Sequence, residues 1–252
     1  MRHIEEIPKI DDFSSQPTAE KIIAKQICET VKCAIEKALL FALRTARPFL
    51  SECRIAPPIN SQQIINMQST MVKMLHDPSP SLPIPPENPL LLAIYSNMDA
   101  NFQLWHLEDE ARRTDVPDVQ IAALKRKIDA ENQRRNNQIE EIDDTLQKQL
   151  PSVTSSVPFN SETPGSIIDR LSITCLKIYH MGIEVQRSGS TEEHRHACKQ
   201  KLQTLICQRN NLALALDELL LDLSMRRKRL VLYRPFKMYN DPNLNPALYR
   251  KP

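Results

Sequence analysis

The chain has 252 residues, 41% of them hydrophobic, which is enough apolar material for one domain of ordinary size with extensions. Its three glycines cannot supply the glycine-rich phosphate loop or the dinucleotide fingerprint of the common nucleotide-binding folds. The 33 basic and 31 acidic residues leave a net charge of +2, which argues against an extended nucleic-acid-binding surface.

Apolar residues at helical spacing predict two helices in the first third of the chain, a long one over 18–46 and a shorter one over 61–76. The long helix belongs to an N-terminal extension over 1–55. The short helix belongs to a segment over 56–89, which ends in a connector containing six prolines after Asp77. Such a proline density excludes a helix interior and favours an extended conformation.

Residues 104–148 recur without a gap 74 positions later, at 178–222, and eleven of the 45 positions are identical where chance would give roughly three. Apolar periodicity and turn signals make each copy a helical hairpin, near 90–150 and near 164–225. We therefore predict an all-α fold. Its duplicated hairpins form a pseudo-two-fold four-helix bundle over 90–230, with the extra N-terminal helices packed outside. The tail over 231–252, with aromatic residues and Asn–Pro turns, is expected to fold back onto the bundle.

Two His–Glu pairs occupy equivalent positions in the two copies, and the members of each pair lie four residues apart. Residues at this spacing share one helix face, so each pair could ligate a metal ion. A Mn²⁺ or Mg²⁺ ion there would activate water for hydrolysis of a phosphoester or pyrophosphate. The alternative is that the pairs are exposed and bind nothing. With the duplicated aspartates, the candidate ligands are His106, Glu110, His180, Glu184, Asp143 and Asp217.

Two duplicated arginines occupy apolar seam positions, where burying a guanidinium is costly unless it is paired. One interpretation is a buried ion-pair network that fixes the register of the two hairpins, with Asp109, Asp143, Asp169 or Asp217 as partner. The other is a pocket for an anionic small molecule, because neighbouring amides can donate to phosphate without adding charge. The residues of this second candidate site are Arg135, Asn136, Asn137, Arg209, Asn210, Asn211, Lys127 and Lys201.

A family resemblance is carried by seven stretches of the chain: 104–113, 125–129, 132–136, 139–143, 168–173, 176–181 and 239–242. These stretches resemble a bacterial family known as domain of unknown function 4254. The resemblance covers roughly residues 90–245 and implies a bacterial origin, but it brings no assigned activity and no functional residues. Genes of that family often lie beside genes for surface-polysaccharide assembly, which is an association and not a mechanism.

The leading hypothesis is a cytoplasmic helical protein that binds an anionic small molecule or a protein partner through its duplicated polar residues. The competing hypothesis is a metal-dependent phosphohydrolase with a His/carboxylate site in the bundle. No C-x-x-C pair and no apolar run of membrane-spanning length occur, so we expect reduced thiols, no membrane span and no nucleic-acid partner. Because the two hairpins resemble each other, they could exchange between two chains in a homodimer.

Overall fold

The computed structural model describes residues 56–77, 84–234, 236, 238 and 241–249. Over these ranges the chain forms six helices and no strand, so the predicted all-α class is confirmed. None of these helices is both long enough and apolar enough to cross a membrane. The helix predicted over 18–46 lies outside the described residues, as does the first half of the proline-rich connector, 78–83. The helices are α1 (Ser61–His76), α2 (Pro89–Ala111), α3 (Asp118–Gln149), α4 (Pro164–Gln186), α5 (Glu192–Ser224) and α6 (Pro246–Tyr249).

Two helical hairpins form the body of the fold. Helix α2 packs along α3, and α4 packs along α5, while α4 also contacts both helices of the first hairpin. Helix α1 contacts α2, α4 and α5. Its residues Ile64, Gln68, Met71 and Val72 are buried, so α1 is a core element and the expectation that it packs outside the bundle is wrong. The pseudo-two-fold relation between the hairpins stays a prediction.

Polar side chains or a proline stand at the start of each long helix, as expected where the first N–H groups have no partner within the helix. Asn60 caps α1 and accepts from the backbone N–H of Gln63. Asn88 and Thr163 cap α2 and α4, and each of these helices carries a proline in its first turn. Thr191 caps α5 by accepting from the N–H of His194.

The apolar core is divided into two clusters along the bundle. The first contains Ile64, Leu90 and Ile167, which lie near the starts of α1, α2 and α4. The second contains Met71, Met98 and Cys175, which lie further along the same three helices. Residues at similar depth therefore share a cluster, so α1, α2 and α4 run in the same direction. Each fully buried aliphatic side chain contributes about 1.5–3 kcal/mol to folding.

The start of the C-terminal tail is attached to the bundle through Arg234. Its guanidinium donates to Glu140 at 2.7 Å and to Asp144 at 2.6 Å, both on α3. The short helix α6 buries none of its residues. The tail therefore contacts α3 at its beginning and presents an exposed helix near its end.

Candidate functional site

Three histidines from three different helices converge in the bundle. His76 is the last residue of α1, His106 lies in α2 and His180 lies in α4, and one ring nitrogen of each lies within 4.8 Å of those of the other two. Among the described residues this is the one group of three or more His, Cys, Asp or Glu side chains with metal-ligand spacing. We call His76, His106 and His180 the histidine cluster.

The register of the helices explains why these rings meet. His76 follows the start of α1 by 15 residues, His180 follows the start of α4 by 16, and His106 follows the start of α2 by 17. At 1.5 Å per residue all three rings lie about 22–26 Å along their helices. Because the three helices are parallel neighbours, similar depth places the rings at the same level of the bundle.

Hydrogen bonding fixes the proton on His76. Its Nδ1 lies 2.7 Å from the carbonyl oxygen of Val72, and because a carbonyl can only accept, Nδ1 carries the hydrogen. The Nε2 of a neutral ring is then a lone pair, and it is buried with no hydrogen-bond partner. Metal-ligating histidines commonly show this arrangement, in which one nitrogen donates to a carbonyl and the other binds the ion. His180 Nε2 is also buried without a partner.

The electrostatics of the site favour neutral rings at His106 and His180. Burial lowers the pKa of His106 and of His180 below the ordinary 6.5, and the charge of His76 acts in the same direction. The carboxylate of Asp109 opposes both shifts without cancelling them. At neutral pH both rings therefore offer unprotonated nitrogens, the form that a metal ion requires.

Aromatic side chains surround the histidine cluster and hold the rings in place. The indole of Trp105 stacks on His180 with the centroids 4.5 Å apart and the planes 3° from parallel. The phenol ring of Tyr179 stacks on His76 at 4.3 Å, and Phe102 meets both His76 and His106 edge to face. These contacts limit rotation of the imidazoles and exclude water from their apolar faces.

A cavity of about 360 Å³ adjoins the histidine cluster. Trp105 belongs to both, because its indole stacks on His180 and also lines the cavity. Asp109 lines the cavity too, and its charge acts on His106 and His180. The wall combines apolar side chains such as Leu104 with polar and charged ones. This volume and this mixture suit a small polar molecule.

Arg135 also lines the cavity, but its charge is already compensated. Its Nε and Nη2 donate to the two carboxylate oxygens of Asp169 at 2.9 and 2.7 Å. Asp169 is only 3% exposed and also accepts from the side-chain amides of Asn97 and Asn101. The network joins α3 of the first hairpin to α4 of the second. Of the two interpretations of Arg135, the structure therefore favours the buried ion pair over the anion pocket.

The duplicated aspartates Asp143 and Asp217 hold helix starts in place. Asp143 accepts a hydrogen bond at 2.7 Å from the N–H of Gly165 in α4, and Asp217 accepts from the N–H and hydroxyl of Ser61 in α1 at 2.8 and 2.6 Å. Each of these contacts lies 15 residues, or about 22 Å of helix, before the histidine of the same helix. Neither carboxylate reaches the histidine cluster, so the predicted six-ligand site is wrong.

The two glutamates of the predicted metal site are engaged elsewhere. Glu110 is exposed and pairs with Arg113 at 3.1 Å. Glu184 pairs with His194 at 3.2 Å and with Arg187 at 3.4 Å. Of the six predicted ligands, the structure thus brings together His106 and His180 alone.

The remaining predicted site residues lie along α3 and α5, and no described contact joins them into one site. Asn137 accepts a hydrogen bond from Gln133 on its own helix, and Asn210 accepts from Arg209. Asn136 is half-buried. The exposed members of the set are Lys127, Asn137, Lys201, Asn210 and Asn211.

The sequence analysis did not predict His76 as a metal ligand, because it took its candidate ligands from the duplicated segment and His76 lies outside that segment. A sequence signal did exist: the helix predicted over 61–76 ends in a histidine at the depth at which His106 and His180 follow their own helix starts. Trp105, which the sequence analysis did not single out, is half-buried and contacts both the histidine cluster and the cavity.

A family model described as Protein of unknown function (DUF4254) matches residues 92–231, more than half of the chain. The chain belongs to this family. The DUF4254 match begins in α2 and ends after α5, so it includes His106 and His180 but not His76. No curated protein and no solved structure matches the chain. The family description assigns no activity, so a function has to be argued from the geometry of the site.

Proposed function

We propose that this DUF4254 protein is a metal-dependent hydrolase that binds one divalent transition-metal ion through His76, His106 and His180. The substrate would be a small ester or phosphoester held in the adjoining cavity. The observation that carries the proposal is the convergence of three imidazoles from three helices, two of them with a buried Nε2 that has no partner. An unmatched buried acceptor costs about 1–3 kcal/mol, and a metal ion would remove that cost.

The spacing of the ring nitrogens supports a metal ion with nitrogen ligands. Zn–N bonds of about 2.0–2.1 Å place the nitrogens of a tetrahedral site about 3.4 Å apart. The three ligand atoms lie within 4.8 Å of one another, so each pair has to close by about 1.4 Å at most. Small changes in the side-chain torsions would supply a movement of this size, within the limits that the aromatic contacts set. Imidazole favours Zn²⁺, Fe²⁺, Co²⁺ or Ni²⁺ over Mn²⁺ and Mg²⁺, so the proposal replaces the expected Mn²⁺ or Mg²⁺ with one of these ions.

Three protein ligands would leave one coordination position for water, as in catalytic zinc sites. A metal ion lowers the pKa of its bound water to about 7 and so supplies hydroxide at neutral pH. Asp109 is suited to orient that water or to accept its proton, because its carboxylate lines the cavity and interacts with both His106 and His180. Arg112 on the cavity wall pairs with the exposed Glu108 at 3.1 Å and would have to exchange this partner to contact an anionic substrate group.

The first test is metal content after dialysis against Zn²⁺ and removal of the excess. The wild-type protein should hold about one ion per chain, and His76→Ala, His106→Ala and His180→Ala should each lose it. His196→Ala is the matched control, because His196 is exposed and bonds to Gln200 on its own helix. A wild-type protein without metal, or equal loss in the control, would show that the histidine cluster is not a metal site.

The second test uses the single tryptophan of the chain as a reporter. Because Trp105 stacks on His180, binding of Co²⁺ or Cu²⁺ at the histidine cluster should quench its fluorescence with a stoichiometry of one. The quenching should disappear in His106→Ala and persist in His196→Ala.

The third test measures turnover by the metal-loaded protein with chromogenic phosphoesters and carboxylic esters. Hydrolysis should require the ion, and Asp109→Asn should lower kcat while metal content stays at one ion per chain. A protein that binds one ion but hydrolyses neither class of substrate would retain the metal site and refute the hydrolase.

A further inference from the structure

The cavity beside the histidine cluster has two arginines in its wall, and both are bound to carboxylates. Arg135 donates to the two carboxylate oxygens of Asp169 through its Nε and Nη2. Arg112 binds Glu108 twice, at the carboxylate (3.1 Å) and at the backbone carbonyl oxygen (2.6 Å). Asp109 adds a further carboxylate to the same wall. Over its described residues the cavity therefore offers an anion no surplus of positive charge.

Asn101 supplies the cavity with a hydrogen-bond acceptor. Its side chain lines the cavity, although the residue is only 4% exposed. Its Nδ2 donates to Asp169 at 2.9 Å and to Ser172 at 3.0 Å. The carboxylate can only accept, which fixes the orientation of the amide, and these two contacts use both hydrogens of the Nδ2. The Oδ1 is therefore the atom of Asn101 that is suited to bind a ligand.

Arg135 supplies a donor next to this acceptor. The Nε of Arg135 and the Nδ2 of Asn101 both bind the Oδ1 of Asp169, each at 2.9 Å, so one buried carboxylate holds the two side chains together. Both side chains line the cavity. The Nη1 of Arg135 lies outside the bidentate pair, and its two N–H groups can donate to a ligand. The same carboxylate oxygen thus places a donor residue and an acceptor residue side by side in the cavity wall.

We propose that Arg135 and Asn101 form a subsite for an uncharged carboxamide group, whose carbonyl oxygen accepts from Arg135 and whose N–H donates to Asn101. A carboxamide carries its acceptor and its donor side by side, as these two residues require. Because the guanidinium is already paired with Asp169, an uncharged acceptor suits it better than an anion. That the carboxamide belongs to the substrate of a hydrolase rests on the proposed function, whereas the subsite uses only residues outside the histidine cluster.

The experiment compares three small molecules of similar shape in titrations of the chelator-treated protein. Benzamide has both the carbonyl and the N–H, methyl benzoate lacks the N–H, and benzoate is an anion without an N–H. Trp105, the single tryptophan of the chain, lines the cavity and reports binding by a change in fluorescence. One benzamide should bind per chain, at least about fivefold more tightly than either other molecule, because both of these leave the Oδ1 of Asn101 without a donor.

A double variant tests the donor of the subsite. Arg135→Met removes the guanidinium, and Asp169→Asn removes the buried charge while its amide oxygen can still accept from Asn101. Benzamide should bind this variant at least about fivefold more weakly than the wild-type protein. Arg209→Met is the matched control, because it removes the equivalent arginine of the second hairpin, which does not line the cavity, and its affinity should stay within about twofold of wild type. Circular dichroism checks the helix content of both variants, and if the double variant is unfolded, the comparison of the three molecules on the wild-type protein decides.

Three results would overturn the subsite. Benzamide could fail to bind at tens of millimolar, methyl benzoate or benzoate could bind as tightly as benzamide, or Arg209→Met could weaken binding as much as the double variant. Neither metal content nor turnover enters these titrations. A protein that binds benzamide as expected but holds no metal ion would therefore keep the subsite and refute the hydrolase, whereas an active metal-loaded protein that binds the three molecules equally would refute the subsite alone.

Discussion

Replacing Arg135 with alanine should destabilise the protein strongly, because it leaves the carboxylate of Asp169 buried without its cation. Removing one partner of a buried ion pair costs about 3–5 kcal/mol. Two features reduce the expected loss. The side chain of Arg135 is 28% exposed, and the amides of Asn97 and Asn101 still donate to Asp169. We therefore expect about 3 kcal/mol, or a Tm lower by about 6–12 °C for a protein of this size.

The assay is urea unfolding followed by far-UV circular dichroism, with the slope m checked for constancy so that a change in midpoint reports stability. Arg209→Ala is the matched control, because it removes the equivalent arginine without stranding a carboxylate, and it should cost less than about 1 kcal/mol. The double variant Arg135→Met with Asp169→Asn should recover part of the loss, since neither charge is then buried and the new amide oxygen still accepts from Asn97 and Asn101. Equal unfolding midpoints for Arg135→Ala and Arg209→Ala would refute the claim that the ion pair holds the two hairpins together.

Three further perturbations each compare variants that should change the stability of the protein in different directions. Gly165→Ala should destabilise the protein by about 1–3 kcal/mol, because its Cβ would lie 2.6 Å from a backbone oxygen of α3. Gly182→Ala, with open space around it in α4, should stabilise the protein by up to about 1 kcal/mol. Thermal unfolding compares the two variants. Burial raises the pKa of Asp143 to about 6, so the ionised carboxylate destabilises the folded protein at pH 7. Asp143→Asn removes that charge and should be at least as stable as wild type. Asp143→Ala should instead lose about 1–3 kcal/mol, because it leaves the buried N–H of Gly165 without an acceptor. The third perturbation is a change of pH, measured in the Asp143→Asn variant so that Asp143 does not contribute. The free energy of unfolding should fall as the pH drops below 6.5, because His106 and His180 take up protons in the unfolded chain before they do in the folded one. Replacing both histidines with Asn should flatten this pH dependence.

The all-α class and the two hairpins could be predicted because apolar periodicity, turn residues and caps agree along 89–224. The role of α1 could not be predicted in the same way. Its stripe of Ile64, Met71 and Val72 shows that one face is buried but not which partner buries it. The buried position of Gln68, which donates to the carbonyl of Ile168 at 3.3 Å, depends on a contact 100 residues away.

The duplicated polar residues predicted structural features better than they predicted chemistry. Asp143 and Asp217 are retained in both copies, and each holds the start of a following or preceding helix by accepting its first N–H groups. A carboxylate that caps a helix and a carboxylate that binds a metal look the same in a sequence. Arg135 was recognised as a residue that needs a carboxylate. Which of the four candidate aspartates pairs with Arg135 depends on how α4 docks against α3. Local sequence patterns do not determine that docking, so Asp169 could not be identified in advance.

If the histidine cluster binds a metal ion as proposed, the position of His76 would link metal binding to the assembly of the bundle. His106 and His180 come from the segment that the DUF4254 model matches, whereas His76 comes from α1, whose start is held by Asp217 of α5. A metal ion bound by all three histidines would therefore bind only when α1 is docked against α2 and α4. Its binding free energy would stabilise that docked arrangement by RT ln(1 + [M]/Kd), about 2.7 kcal/mol at a free metal concentration one hundred times Kd. The same coupling would make Asp217 a remote determinant of the proposed metal affinity, because loosening the start of α1 would lower the population in which His76 reaches the other two rings.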